Sequence, residues 1–225
     1  MPVVVLASSK GGVGKSTTAL TLSHALARGG ATVTLIDADP NAPMRAWENL
    51  TEEMPDRFTL ETGVSEDDIV DRIDTASERD VFTIVDLEGS ANMAVSYAIG
   101  RADLVLIPMQ GSQLDANEAA KVIRLIKREA KAFRREIPFT AILSRTSFIK
   151  PRTARNIEND LRNQGIPILP VEMNERDAFK ALFSFGGSLY DLTDAEVSSP
   201  SKAIANAEDL ARAVADHLRN IRHDN

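Results

Sequence analysis

The 225-residue chain contains no cysteine, which excludes disulfides, thiolate metal sites and cysteine-held iron–sulfur clusters and fits a reducing cytosol. Its longest apolar runs are strand-sized, well short of the roughly 20 residues that span a bilayer, so no integral membrane protein is expected. The start, Met1-Pro2-Val3-Val4-Val5-Leu6, lacks a charged n-region and a small-residue cleavage site, and no export is expected. Internal repeats, low-complexity tracts and linkers are absent as well, and the length suits a single α/β domain over residues 1–225. Positive charge is in deficit, 26 Lys and Arg against 33 Asp and Glu, giving a net charge of -7. The distribution is uneven. Glu48 to Asp80 is strongly acidic, whereas Lys121 to Arg135 is strongly basic with Glu129 its only acid.

What is present is an alternation of buried strands and helices. Val3 to Ala7 is a continuous apolar run that reads as a central strand covered on both faces. Further strands are expected at Thr32 to Ile36, ending at Asp37, at Val81 to Val85, ending at Asp86, at Leu104 to Ile107 with Pro108 closing it, and at Phe139 to Leu143. Pro167 to Val171 is a shorter candidate, and the acidic stretch after Asp37 reads as helical. Helices are expected from Ser16 to a stop at Gly29-Gly30, and around 116–135, 152–164, 175–183 and 201–221. The alternation implies a mostly parallel central sheet with helices on both faces, its ligand at the carboxyl ends of the strands.

Between the first strand and the first helix lies Lys10-Gly11-Gly12-Val13-Gly14-Lys15-Ser16-Thr17. Small residues at such a junction let backbone N–H groups converge on a phosphate, and the helix N-terminus adds partial positive charge. Lys15 is expected to neutralise the β and γ phosphates and the Ser16 hydroxyl to ligate Mg2+, the chemistry of a P-loop NTPase. The dinucleotide pattern G-x-G-x-x-G is absent because position 17 is Thr, which argues against a nicotinamide enzyme.

The loop departs from the general pattern, with Ser9 where a glycine is usual and Lys10 next to it. Lys-Gly-Gly-Val-Gly-Lys-Ser-Thr resembles the deviant loop of the ParA/MinD family of partitioning and positioning ATPases. The resemblance continues through Leu35-Ile36-Asp37-Ala38-Asp39-Pro40-Asn41, Val85-Asp86 and Leu106-Ile107-Pro108-Met109-Gln110, in the family's order over about two thirds of the chain. It implies ATP and Mg2+ as ligands, a nucleotide-sandwich homodimer, and Lys10 reaching the phosphates held by the other subunit, as an arginine finger does. It also implies that Asp37 and Asp86 hold Mg2+ through water, that Asp39 orients the attacking water, and that the Gly89 amide senses the γ-phosphate. Glu88 stands where the family often has proline. Adenine follows from the family, there being no Asn-Lys-x-Asp guanine motif. By position, Ser144-Arg145 and Glu172-Met173-Asn174 are the expected base pocket.

Family members use nucleoid DNA as a track, and the basic residues of 121–135 interleave with apolar ones as on a helix with one buried and one basic face. Lys127, Lys131, Arg145, Lys150, Arg152 and Arg155 are therefore candidates for non-specific DNA contacts, against the ordinary reading of a solvated face. The loop lies too close to the start for an N-terminal helix-turn-helix. The MinD-like alternative, a membrane-positioning ATPase, needs a terminal amphipathic anchor. Residues 216–225 have no aromatic residue and only Leu218 and Ile221 as large apolar ones, so none is evident. The stretch Glu175-Arg176-Asp177-Ala178-Phe179 resembles small ParA-type proteins of conjugation and plasmid functions. The resemblance thus implies a cytoplasmic, nucleoid-associated ATPase stimulated by an adaptor, ParB-like or specific to a cargo. The alternative from another class is a metabolic P-loop enzyme, an amidoligase or small-molecule kinase.

Overall fold

A computed structural model describes residues 1–89, 92–147 and 152–223. Along the chain lie β1 (Val3–Leu6), α1 (Lys15–Arg28), β2 (Val33–Ala38), α2 (Pro43–Leu50), β3 (Phe58–Glu61), α3 (Ile69–Arg79), β4 (Phe82–Leu87) and α4 (Met93–Arg101). These are followed by β5 (Leu104–Met109), α5 (Gln113–Phe133), β6 (Phe139–Thr146), α6 (Arg152–Asn163), β7 (Met173–Asn174), α7 (Asp177–Phe185) and α8 (Pro200–His223). The strands form one seven-stranded sheet in the order β3-β2-β4-β1-β5-β6-β7, and every recorded pairing is parallel.

Both faces of the sheet are covered, which is why the central strands β1 and β5 are apolar at every position. Val4 and Leu6 of β1 pack with α1, α2, α7 and α8, while Val3 and Val5 pack with α3, α4, α5 and α6. Truncating a buried leucine of such a core typically costs about 2–5 kcal/mol. The first-mentioned face contains a polar-edged aromatic cluster. Trp47 is fully buried, its Nε1 donates to the Gly187 carbonyl at 2.8 Å, and its ring lies 5.3 Å from that of His24 and 5.8 Å from that of Phe58.

Three differences from the sequence reading have local causes. The acidic stretch is not helical throughout: α2 and α3 flank the short edge strand β3, of which only Phe58 is buried. Pro108 lies inside β5, not at its end. It is tolerated there because β1 pairs only as far as Leu106, so no strand on that side needs its missing N–H. The candidate strand at 167–171 reduces to a single bridge between Ile168 and Ala141, and β7 forms farther along, at Met173.

Candidate functional site

Strand register builds the site. Leu6 of β1 pairs with Asp86 of β4, and Asp86 pairs with Asp37 of β2, so two carboxylates stand side by side where β1 leaves the sheet. The loop then turns back through Gly12 at φ 74° and Gly14 at φ 91°, left-handed values that a side chain makes costly. Gly14 is the N-cap of α1 and has no side chain to satisfy the first-turn amides, which leaves them for an anion. Ser144 fixes this loop from the far side, its hydroxyl donating to the Val13 carbonyl at 2.6 Å.

A cavity of about 700 Å³ opens above the loop. Gly11, Gly12, Gly14, Lys15, Ser16 and Thr17 line it from one side and Asp39 and Gly89 from another, with Ser144, Arg145, Met173 and Asn174 at the end expected for the base. Val13 is buried beneath, and Glu172 is not part of the lining. Thr18, Pro43 and Lys180 in the lining carried no signal that singled them out, and Asn41 and Phe179 stood in stretches of family resemblance without a role assigned to them.

The two carboxylates differ. Asp86 is fully buried, and neither of its oxygens has a geometric hydrogen-bond partner among the described residues. Burial pushes its pKa up to about 7, with Lys15 and Ser16 nearby opposing the shift. Asp37 is 1 % exposed and is also raised, by burial. Its oxygens accept from the backbone N–H of Met44 at 2.9 Å and of Asp39 at 3.1 Å, which ties the strand end to the start of α2. An orphaned buried carboxylate beside a second carboxylate and a hydroxyl is a donor set that fits Mg2+, which keeps several waters and takes only one or two carboxylates from the protein. Asp39 itself accepts from the backbone and side-chain N–H groups of Asn41, both at 2.9 Å and both at Oδ1.

Lys10 does not line the cavity. Its Nζ donates to Asp115 Oδ1 at 2.8 Å in the first turn of α5, and the other Asp115 oxygen accepts from the Ser112 hydroxyl. Asp115 is nearly inaccessible while Lys10 remains 39 % exposed. The sequence signal for this partner was present as Ser112-Gln113-Leu114-Asp115, a capping box whose serine accepts from the Asp115 amide.

The basic candidates are separated. Lys127 and Lys131 are exposed on α5, whose opposite face buries Val122, Ile123 and Ile126. Arg155 is exposed on α6, which packs beside α5 and opens at Arg152. Arg145 belongs to the cavity rim: its backbone, at φ 52° in the irregularity between Ser144 and Thr146, accompanies bonds from its guanidinium to the Gly12 carbonyl at 3.0 Å and to Glu175 at 3.3 Å. Lys150 lies outside the described residues. Among the described residues no helix is long and apolar enough to cross a membrane.

A parallel α/β sheet with this loop at the end of its central strand defines a P-loop NTPase, and Lys10 places it in the deviant-loop ParA/MinD class. The family model described as "VirC1 protein" matches residues 1–222, and the chain belongs to that family. It is 41% identical over 215 residues to the protein ParA of Rhizobium radiobacter, covering 95% of this chain and 96% of that one. Identity with the protein virC1 of Rhizobium rhizogenes is 28% over 186 residues, 81% of this chain and 80% of the other. In fold, it resembles the cell division protein MinD of Aquifex aeolicus with a TM-score of 0.73 at 21% identity, covering 96% of this chain and 98% of that structure. These relationships make it a ParA/MinD-superfamily ATPase of the kind that serves segregation and positioning.

Proposed function

We propose that the chain binds ATP with Mg2+ in the 700 Å³ cavity, closes as a homodimer around the nucleotides, and hydrolyses ATP when an adaptor protein engages it, so moving a plasmid, chromosome region or protein assembly over non-specific DNA. The observation that carries this reading is Asp86, a fully buried carboxylate without a geometric hydrogen-bond partner among the described residues at the foot of the phosphate loop, where a divalent cation would keep it ionised against the cost of its burial. Mg2+, held by the Ser16 hydroxyl and through water by Asp37 and Asp86, supplies charge neutralisation of the phosphates. Lys15 adds a second positive charge from the head of α1. The Gly11, Gly12 and Gly14 amides orient the phosphate chain, and Gly89, where an added Cβ would lie 3.6 Å from the Ser8 carbonyl and so beside the loop, takes the role of sensing its end.

Asp39 takes the role of water-orienting acceptor, since Oδ1 is held by Asn41 and its other oxygen makes no bond among the described residues. Lys10 acts in the partner subunit's site, which requires it to leave Asp115. Dimerisation and the catalytic constellation are thereby the same event. DNA is the proposed surface because Lys127 and Lys131 present one exposed cationic stripe, and the stripe doubles in a dimer.

The test measures phosphate release with Mg2+-ATP, together with mass by light scattering in ATP and in ADP. Turnover and an ATP-dependent dimer are expected, and Lys15→Ala should abolish ATP binding in calorimetry. Unchanged ATP affinity in that variant would remove the phosphate-site assignment.

A further inference from the structure

A second cavity, of about 640 Å³, lies at the other end of α1 from the phosphate loop, enclosed by the last turns of α1, residues 50–57 and the turn after α7. The length of α1 puts the two cavities about 20 Å apart. His24 is in the lining of this second cavity, 2 % exposed, and neither ring nitrogen has a hydrogen-bond partner among the described residues. At the rim stand Leu50, Met54 and Phe185, exposed by 46%, 39% and 58%. Single exposed apolar side chains are ordinary, but three gathered around one concavity mark a contact surface.

Between them lie Glu52, Glu53 and Asp56, exposed and making no ion pair or side-chain hydrogen bond among the described residues. Asp191 and Glu196 add to the acidic side, against Arg28, which stacks on the Tyr190 ring, and Arg57. The surface is thus apolar at its anchor points and acidic around them.

We propose that this groove docks a basic segment of a partner protein, bearing an apolar anchor that sits on Leu50, Met54 and Phe185 while its cations face Glu52, Glu53 and Asp56. The inference rests on the reading that a partner stimulates hydrolysis, and gives that partner its surface. The groove is mechanically joined to the nucleotide site. Helix α2 starts at the Met44 amide bonded to Asp37 and ends at Leu50 on the groove rim. The Trp47 indole and the Thr51 hydroxyl tie its last turn to Gly187 at 2.8 and 3.0 Å. Helix α7 likewise has Phe179 and Lys180 in the nucleotide cavity and Phe185 at the groove. A ligand that shifts either helix shifts the switch.

The experiment titrates the full chain, loaded with ATP, with a short fluorescent lysine–leucine peptide whose leucines recur at helical spacing, at physiological salt. Anisotropy and phosphate release are both read. Saturable binding is expected, weakened about tenfold by Glu52→Lys with Glu53→Lys and by the charge-neutral Phe185→Ser, while ATP affinity is unchanged. Stimulated turnover should fall with binding. Glu66→Lys with Asp67→Lys, in the loop beyond the other end of β3, should bind as the parent does. Equal loss from that control pair, or no effect of Phe185→Ser, would reduce the result to general charge attraction and overturn the proposal. Self-association in the absence of peptide, abolished by the groove variants, would assign the groove to a second copy and overturn it too. A parent that binds the peptide but never hydrolyses ATP would refute the ATPase reading and leave the groove standing.

Discussion

Acidification should weaken the fold through one residue the nucleotide chemistry does not use. His24 is 2 % exposed, packed 4.9 Å from the Phe58 ring and 5.3 Å from that of Trp47. Burial lowers its pKa from 6.5 to about 4, with the charge of Asp191 partly opposing the shift. In the unfolded chain the imidazole takes up a proton near pH 6.5, and in the folded chain only near pH 4. Between these values the unfolded state binds more protons, so stability falls as pH falls. The contribution is fully intact above about pH 6.5 and is lost by about pH 4, with no further loss below. At about 1.4 kcal/mol per unit the whole loss is about 3 kcal/mol, of which roughly 2.5 has occurred by about pH 4.5. Carboxylates titrate over the same range, so the assay compares parent with His24→Leu in urea unfolding at a series of pH values. Leucine fills the space without titrating and leaves no buried nitrogen unpaired, and the variant should match or exceed the parent at pH 7. The gap in its favour should widen by about 2.5 kcal/mol on going to about pH 4.5. Parallel stability curves for the two proteins would show that His24 stays neutral in both states or finds a proton acceptor on charging, and would refute the argument.

Asp39→Ala should still bind ATP and accumulate as dimer, because it removes the water-orienting acceptor and leaves the phosphate contacts; a monomer in size-exclusion chromatography with ATP, or parental turnover, contradicts the role given to it. Asp115→Asn should release Lys10 from a partly exposed ion pair of about 1 kcal/mol in each protomer, so that the ATP dimer forms at roughly thirtyfold lower protein concentration by light scattering. No shift, or a shift the other way, would mean that the pair does not compete with dimerisation. Reversing Lys127 and Lys131 to Glu should reduce the slope of log affinity for DNA of arbitrary sequence against log salt by about 2 per protomer, with ATP affinity unchanged. An ATP-loaded dimer without affinity for DNA at low salt ends the DNA-track reading.

What the sequence made legible was whatever is encoded locally. Strand, glycine turn, lysine and helix follow one another within residues 3–28, and the apolar strands ending at Asp37 and Asp86 point to one end of the sheet before any pairing is known. Register then adds what spacing could not, that Asp37 and Asp86 are direct neighbours. The end expected for the base was placed by strand order alone, which brought in Ser144, Arg145, Met173 and Asn174, together with Glu172, which is outside the lining, but gave no role to Phe179 and Lys180, because α7 comes from a segment whose approach to the loop is purely tertiary. Arg145 was grouped with basic residues by proximity in sequence. Its left-handed backbone, visible only in the fold, accompanies its bond to Gly12. The edge strand β3 was hidden because four residues with one buried side chain carry almost no periodicity.

The resting chain holds each half of its switch in a contact that catalysis must disturb. Lys10 is bonded to Asp115, so the charge proposed to act in the partner subunit is already partly neutralised at home. Asp37 is bonded to the Met44 amide, so the carboxylate nearest Asp86 also fixes where α2 begins. Both restraints are modest. One is a half-exposed ion pair of about 1 kcal/mol, and the other comprises backbone N–H bonds to a carboxylate, about 1.5–3 kcal/mol each when it is charged. Each single bond is small beside the binding energy of a nucleotide with its cation, but comparable to the coupling of about 1–3 kcal/mol typical between allosteric sites. On the proposed reading, such a molecule needs only a second weak ligand on α2 or α7 to choose when it turns over. That is the energetic scale a docking peptide supplies, and it places the groove between Leu50 and Phe185 where control costs least.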